Sequence, residues 1–197
     1  MYVAKSDFIF DPFSLDFDNP IADIHAIREL NPQRDEMEHL TAILCEDVEE
    51  KKCAGYKDVS HNEFWINGHM PNMPLMPAVI QLEAVAQLAS FFTQRNDLLG
   101  AQMVGFGGVD EAKFRDVVVP GDRLLLMVQM NRVRRNRMIV AKFQGVVNGK
   151  LVVDGVLRGI PIPIDAVKKH LQERSRANRK MATVSYTHLT LPTILLV

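Results

Sequence analysis

The chain has 197 residues, 47% of them hydrophobic and 24% charged, which is enough for one domain with a real core and too short for two of ordinary size. The formal net charge of −1 argues against the broad basic surface of a nucleic-acid-binding protein. The chain has two cysteines, Cys45 and Cys53, which are too few to stabilise such a fold by disulfide bonds. No cluster of His and Cys beside them indicates a metal site. We interpret both as inert sheet residues and expect neither a metal nor a cofactor.

Neither a targeting segment nor a membrane span is indicated. Residues 1–12 lack a basic stretch followed by a long apolar run, so we expect no signal peptide. The longest apolar stretch, residues 77–92, is interrupted by polar side chains and does not resemble a membrane-spanning helix. We therefore expect a cytoplasmic protein with no membrane partner.

Residues 1–30 are predicted to form an N-terminal arm and a short helix. In the arm, four aromatic residues stand among Asp, Pro and Ser, and we expect them to dock on the body of the protein: Phe8, Phe10, Phe13 and Phe17. Apolar residues spaced by three predict a helix from Ile21 to Leu30, ended by Asn31-Pro32. We expect the segment to cover either a tunnel or an interface.

Residues 37–95 predict two strands, a loop and a long helix. Alternating apolar residues favour strands between Met37 and Val59, with a hairpin tip at residues 49–52. Three prolines within residues 71–77 forbid regular structure, and Pro77 is suited to be the first residue of a helix that reaches about Arg95. This helix is apolar on nearly every side, which predicts that it is buried. Its one polar stripe consists of Glu83, Gln87, Ser90 and Gln94.

Four strand-like runs follow, at residues 102–114, 123–132, 138–147 and 150–160, with a turn at residues 120–122. Asn148-Gly149 is a strong signal for a two-residue hairpin. One buried helix followed by antiparallel strands predicts an α+β domain over residues 31–165, with the sheet wrapped around the helix in the hotdog arrangement. Such a sheet has an open edge, which predicts dimerisation edge to edge.

The C-terminal residues differ from this domain in composition. Residues 166–183 are rich in Lys, Arg and Gln, and we interpret them as a solvated charged tail, with an exposed helix as the alternative. Residues 184–197 begin VSYTHLTLPT, which resembles a translated transposase sequencing adapter. We therefore predict a non-native tail, with a genuine C-terminal strand as the alternative.

His69 and Glu83 are the candidate chemical groups. His69 stands in the loop rich in Gly and Pro, and Glu83 follows fourteen residues later inside the apolar helix. Burial among apolar neighbours is expected to raise the pKa of the carboxyl group, which could then act as an acid beside a histidine base. In the alternative, Glu83 makes only structural hydrogen bonds and His69 faces water. Periodicity alone favours that alternative.

The motif around these residues changes the interpretation. The segment GHMPNMPLMPAVIQLEAVAQ, residues 68–87, resembles the signature of the β-hydroxyacyl-[acyl-carrier-protein] dehydratases of the FabZ and FabA type. Those proteins carry His-x-Phe-Pro-x-x-Pro-x-Met-Pro-Gly, followed in the FabZ branch by Leu-Glu-Ala-x-Ala-Gln. Residues 31–34 resemble the family's Pro-His-Arg entry, and residues 109–122 its Ala-x-Phe-x-x-x-Val-x-Pro-Gly-Asp strand and turn. The resemblance covers about residues 31–160.

The resemblance implies dehydration of (3R)-3-hydroxyacyl-[acyl-carrier-protein] to trans-2-enoyl-[acyl-carrier-protein] in fatty acid biosynthesis. His69 would remove a proton from C2, and Glu83 would protonate the departing 3-hydroxyl group. A glutamate at position 83, rather than an aspartate, is typical of the FabZ branch, which is expected to dehydrate without isomerising. The implied partner is acyl carrier protein.

The resemblance also implies substrate-binding residues. The backbone N–H groups of Ala78 and Val79, after Pro77, would bind the thioester oxygen at the helix N-terminus. Gln87 would hold the carboxyl group of Glu83, or simply add polarity to the core. Met70 replaces the family's Phe and would reshape the mouth of an acyl tunnel. The candidate tunnel walls, which are equally well explained as core residues, are Met73, Met76, Phe91 and Phe92.

One replacement and the assembly state bear on activity. Ala78 stands where the family has Gly, and its methyl group would cost about 1 kcal/mol if that position needs a positive φ. In the family, the His and Glu of one site come from different subunits, which implies a homodimer or a trimer of dimers. The alternatives are a hotdog acyl thioesterase and a non-catalytic subunit that binds acyl carrier protein. The presence of both His69 and Glu83 argues against the second.

Overall fold

The computed structural model describes residues 8–186, with side chains up to residue 179. The chain divides into two units, one ending at Pro161 and the other beginning at Ile162. The described part of the first unit contains two helices, a 3₁₀ turn and six strands. They are α1 (Ile24–Leu30), the 3₁₀ turn (Asp35–Met37), β1 (Ala42–Asp47), β2 (Lys52–Asp58), α2 (Ala78–Arg95), β3 (Val104–Phe114), β4 (Arg123–Arg134), β5 (Met138–Val147) and β6 (Lys150–Pro161). None of the described helices is long and apolar enough to cross a membrane.

The six strands form one antiparallel sheet in the order β1-β2-β4-β5-β6-β3. Helix α2 packs against every strand from β2 to β6. The α+β class and the hotdog arrangement predicted from the element pattern are thus confirmed. Strands β1 and β3 lie at the two edges of the sheet within the unit.

Helix α2 is buried as its composition predicts. Every residue from Ala78 to Gln94 is buried or half-buried except Val79. Pro77 is the residue just before the helix rather than its first residue. The side chains of α2 form an inner cluster with those of the sheet, including Val85, Leu88, Phe92, Leu126 and Phe143. Each such fully buried side chain stabilises the fold by about 1.5 to 3 kcal/mol.

Local signals set the helix and hairpin ends. The Asp23 carboxylate accepts from the Ala26 N–H at 3.0 Å, so α1 begins three residues later than its apolar spacing predicts. The Asn31 N–H closes the helix on the Ile27 carbonyl, as expected. Asn148 and Gly149 have φ of 50° and 74°, as the two central residues of a type I′ turn require, which confirms the β5–β6 hairpin.

The N-terminal arm covers the face of the sheet opposite α2. Its apolar residues join an outer cluster with side chains of β1, β2, β4, β5 and β6; those of the arm are Phe8, Ile9, Phe10, Leu15 and Phe17. The prediction for Phe13 is wrong, because its side chain is 78% exposed. Ser14 donates its N–H to the Asp11 carbonyl at 3.0 Å, and this turn places Phe13 at an outward tip, where its ring lies next to Gly149.

Cys45 and Cys53 lie in β1 and β2 as free thiols, in agreement with their interpretation as sheet residues. Burial raises the pKa of both thiols, most of all that of Cys53. Both side chains are therefore protonated and unreactive at neutral pH.

The second unit contains helix α3 (Ile164–Tyr186). Most of its side chains up to residue 179 are exposed. Residues 166–183 thus form the exposed helix given above as the alternative, and the charged side chains described there are solvated. Residues 184–186 continue the helix, whereas residues 187–197, most of the predicted non-native tail, lie outside the described residues.

Candidate active site

The loop before α2 holds His69 through its backbone and its ring. The His69 N–H donates to the Trp65 carbonyl at 2.8 Å, and the Leu75 N–H donates to the His69 carbonyl at 2.9 Å. The end of the loop is tied to the β3–β4 connection by the Met76 N–H, which donates to the Val118 carbonyl at 2.8 Å. The half-buried imidazole is therefore held in a defined position.

A single contact fixes the tautomer of His69. Its Nδ1 lies 2.9 Å from the carbonyl oxygen of Leu75. Because a carbonyl oxygen can only accept, Nδ1 carries the proton of the neutral ring and Nε2 carries the lone pair. The ring is thus arranged as a base at Nε2.

Glu83 lies in the second turn of α2 and is half-buried. Its Oε1 accepts from Gln87 Nε2 at 2.9 Å and from Gln33 Nε2 at 3.3 Å. Two amide groups therefore contact the carboxyl group, and part of it remains accessible.

Gln87 connects Glu83 to the chain that leads into β1. Its side chain is 2% exposed; its Oε1 accepts from the His39 N–H at 2.9 Å, and its Nε2 also donates to the Met37 carbonyl at 2.8 Å. The amide therefore has partners on both of its polar atoms, and its position is fixed. The hydrogen bond to Glu83 is the contact that the sequence suggested.

A small cleft, open to solvent, lies beside Glu83. On one side it is lined by Gln33 and a face of α2, and on the other by residues of β3, β5 and β6. The α2 residues are Glu83, Ala86, Ala89 and Ser90, and the strand residues are Val104, Gly105, Phe106, Ile139, Leu157, Arg158 and Gly159. Among the described residues that line this cleft, His69 is absent, so one chain does not bring His69 and Glu83 into the same cleft.

The four candidate tunnel walls do not line the cleft either. Phe91, Phe92 and Met76 are buried in the inner cluster, and Met73 is exposed in the loop. Successive residues of an α-helix are rotated by about 100°, which places Phe92 half a turn away from Glu83. The small side chains of Ala86 and Ser90, close to Glu83 on the same face, line the cleft instead.

The N-terminus of α2 offers backbone donors. The N–H groups of Ala78 and Val79 belong to the first turn, where no intrahelical acceptor exists, and no side chain caps the helix. Val79 is 68% exposed, so this end is accessible. Ala78 is not among the described residues with positive φ, and its methyl group therefore causes none of the strain considered above. Nearby, Met70 is exposed and Pro77 is half-buried.

Two features next to the site were missed. Gln33 lies in the segment of residues 31–34 compared above, yet only the fold shows that it reaches Glu83, fifty residues away. His39 is fully buried, and its burial, aided by Lys57, lowers the pKa of its ring to about 4. Lys57 forms a buried ion pair with Glu63, with 2.8 Å between Nζ and Oε1. No periodicity or motif in the sequence indicates that His39, Lys57 and Glu63 are buried together.

Comparison with known proteins gives a family match over most of the first unit. The FabA-like domain model matches residues 31–155. The chain is 36% identical over 136 residues to the 3-hydroxyacyl-[acyl-carrier-protein] dehydratase FabZ of Clostridium botulinum, covering 68% of this chain and 92% of that protein. It is also 36% identical over 135 residues to FabZ of Streptococcus gordonii, covering 68% and 94% of the two chains.

Solved structures support the fold. The chain is similar to the dehydratase heterocomplex ApeI:P from Xenorhabdus doucetiae, with a TM-score of 0.59, 11% identity, and coverage of 72% of this chain and 95% of that one. It is also similar to the PaaI protein of the E. coli phenylacetic acid degradation operon, with a TM-score of 0.52, 14% identity, and coverage of 69% and 92%. At such low identity these likenesses concern the fold alone.

Proposed function

We infer, because this chain belongs to the FabA-like domain family, that it is a 3-hydroxyacyl-[acyl-carrier-protein] dehydratase of fatty acid biosynthesis, acting as a cytoplasmic homodimer. The observation that supports the mechanism is the orientation of two side chains, His69 and Glu83, by hydrogen bonds. His69 has its lone pair on Nε2, and Glu83 is held by two amide donors. A base and an acid of this kind are what a β-elimination requires.

In the proposed step, His69 Nε2 takes the proton from C2 of the acyl chain while Glu83 gives a proton to the 3-hydroxyl group. The C2–H and C3–O bonds break, the C2=C3 double bond forms and water leaves. His69 then carries a proton and Glu83 is a carboxylate, so a proton must pass back through solvent before the next turnover.

Charge develops on the thioester oxygen as the C2 proton leaves. The N–H groups of Ala78 and Val79 would bind this oxygen, since they lack intrahelical acceptors and stand at the positive end of the α2 dipole. Removing such a donor in other enzymes costs about 100- to 1,000-fold in rate. The cleft beside Glu83 would hold the acyl chain against Ala86 and Ser90.

We propose further that each site combines His69 of one subunit with Glu83 of the other. This assembly is supported by the absence of His69 from the described residues that line the Glu83 cleft. It is also supported by edge strand β3, which carries the exposed apolar side chains of Phe106, Val109 and Phe114. Pairing of two β3 edges would cover these side chains.

The reaction is tested by supplying a (3R)-3-hydroxyacyl thioester on acyl carrier protein and following enoyl absorbance. We expect His69→Ala and Glu83→Gln each to lower kcat by about 100- to 10,000-fold. The matched controls are His61→Ala, at an exposed loop histidine, and Glu49→Gln, in the β1–β2 turn, which should retain full activity. Free acid without enoyl product would overturn the proposal in favour of a thioesterase.

The shared site is tested by mixing the two inactive variants after subunit exchange. A mixed dimer of His69→Ala and Glu83→Gln subunits keeps one site with both native groups if the sites are shared, and none if each chain forms its own. Random mixing should then restore about a quarter of the wild-type activity, because half of the dimers are mixed and each has one working site of two. A mixture as inactive as its parents would contradict the shared site.

A further inference from the structure

We propose that Gln33 is a second substrate-contacting residue of the dehydration site, which binds the 3-hydroxyl group and fixes the proton of Glu83 on Oε2. This inference rests on the proposed function and adds to it a residue from outside the loop and the helix. Gln33 precedes the 3₁₀ turn at Asp35–Met37, and its side chain lines the same cleft as Glu83.

Both amide donors around Glu83 reach the same oxygen atom. Gln87 Nε2 and Gln33 Nε2 both donate to Oε1, at 2.9 Å and 3.3 Å. A protonated carboxyl group has one oxygen that accepts and one that carries the proton and donates. Because both amides occupy Oε1 as donors, the proton of the neutral acid belongs on Oε2. The proton of Glu83 therefore has a defined position before any substrate binds.

Gln33 Oε1 is buried and has no hydrogen-bond partner among the described residues. A buried acceptor without a partner is unfavourable, so a donor at this position would stabilise it. The group that must come to Glu83 in the proposed reaction is the 3-hydroxyl, which has one O–H to donate and lone pairs to accept.

Together these contacts orient the leaving group. The 3-hydroxyl donates to Gln33 Oε1 and accepts from Glu83 Oε2, so that its lone pair meets the acid proton as the C3–O bond breaks. Gln87 cannot take this role, because its Oε1 already accepts from the His39 N–H at 2.9 Å. Gln33 is the residue that stands where the resembled family has the His of Pro-His-Arg, and a histidine can also offer one donor and one acceptor.

The test compares Gln33→Leu with the full-length wild-type protein, using 3-hydroxybutyryl and butyryl acyl carrier protein as probes. We expect kcat for 3-hydroxybutyryl dehydration to fall by about 10- to 100-fold, as for loss of a hydrogen bond to the reacting group. The inhibition constant of butyryl acyl carrier protein, which lacks the 3-hydroxyl, should stay within twofold of wild type. Gln33→His should recover most of kcat at pH 8, where its ring is neutral.

A structural role for Gln33 would give different results. A weaker inhibition constant for the butyryl thioester that matches the loss of kcat would overturn the proposal, as would a kcat within twofold of wild type. Should Gln33→Leu not fold, Gln33→Glu replaces it: this variant keeps acceptors but loses the donor, and we expect at least the same fall in kcat. The matched control is Gln94→Leu, a half-buried glutamine on α2 away from the cleft, which should behave as wild type.

Failure of the proposed function is distinguishable from failure of this inference. If the wild-type protein forms no enoyl product, calorimetric binding of the two thioesters still tests Gln33. The wild type should bind the 3-hydroxybutyryl form more tightly than the butyryl form, and Gln33→Leu should lose that preference. Equal binding of both thioesters by the wild type would overturn the inference.

Discussion

The two faces of the sheet carry apolar clusters of different character. The inner cluster surrounds α2, and polar side chains are buried beside it, including Gln87, which reaches Glu83, and His39. The outer cluster joins the N-terminal arm to the sheet, and a hydrogen bond runs from the Ile9 N–H to Gln144 Oε1 at 2.8 Å. Buried polar groups cost stability unless they are paired. Gln87 connects to the candidate site through Glu83, whereas Gln144 accepts a hydrogen bond from the arm.

The largest loss of stability is expected when a buried aromatic ring is removed from the inner cluster. Phe92 is fully buried in the inner cluster, so Phe92→Ala should lower the free energy of unfolding by about 3 to 5 kcal/mol. Denaturant unfolding followed by circular dichroism measures the change. A loss below 1 kcal/mol would mean that the inner cluster can collapse around the cavity.

Two buried glutamines, one on each face, allow a matched comparison. Gln87→Leu leaves the His39 N–H and the Met37 carbonyl without the amide, and should cost about 1 to 3 kcal/mol of stability. It should also lower kcat, because Glu83 loses its shorter hydrogen bond. Gln144→Leu on the outer face should cost a similar amount of stability and leave kcat unchanged. Equal losses of kcat in both variants would contradict the distinction between the faces.

Stability should depend on pH through His39. Its pKa is lowered to about 4 in the folded protein by burial, while the unfolded value is 6.5. Between these values the unfolded chain binds more protons, so stability falls as the pH drops below 6.5, by about 2 kcal/mol at pH 5. Unfolding of wild type and His39→Phe at pH 7.5 and pH 5 measures this. A wild type and variant with the same pH dependence would rule His39 out as the cause.

The smallest effect is expected from the arm. Phe17 packs edge-on against Tyr56 with 5.4 Å between ring centroids, and the Arg123 guanidinium lies 5.2 Å from the Phe17 ring. Phe17→Ala should cost about 1 kcal/mol and leave kcat unchanged. Phe13→Ala is the control and should change neither quantity, because its ring is largely exposed. A fall in kcat in Phe17→Ala would mean that the outer face also supports the site.

Local patterns were sufficient for most of the fold. Helix α2, the four later strands and the Asn148-Gly149 turn follow from periodicity and turn chemistry within short windows, and the structure confirms them. The outward position of Phe13 could not be predicted in the same way, since composition indicates that aromatic residues seek burial but not which of them finds a surface.

The candidate site was less accessible to sequence reasoning. The motif identified His69 and Glu83, and the spacing of four between Glu83 and Gln87 on one helix face predicted their contact. Gln33 and His39 reach this region from other segments of the chain, and pattern within one segment carries no information about such contacts. The sequence explains Phe91 and Phe92 equally well as tunnel walls or as core residues, and the rotation of the helix turns them towards the core.

The anchoring of the arm has a consequence for the order of events during synthesis. Ile9 bonds to Gln144, 135 positions further along the chain, so the arm leaves the ribosome long before its docking surface exists. Closing so long a loop is entropically costly, and the contact is rewarded only once the strands it covers are paired. The contact between Ile9 and Gln144 can therefore form only after β5 has been synthesised, and until then the part of the sheet that the arm covers is incomplete. In a nascent chain arrested before residue 144, the side chains of Phe8, Ile9 and Phe10 would be more accessible to proteases and chaperones than in the completed fold.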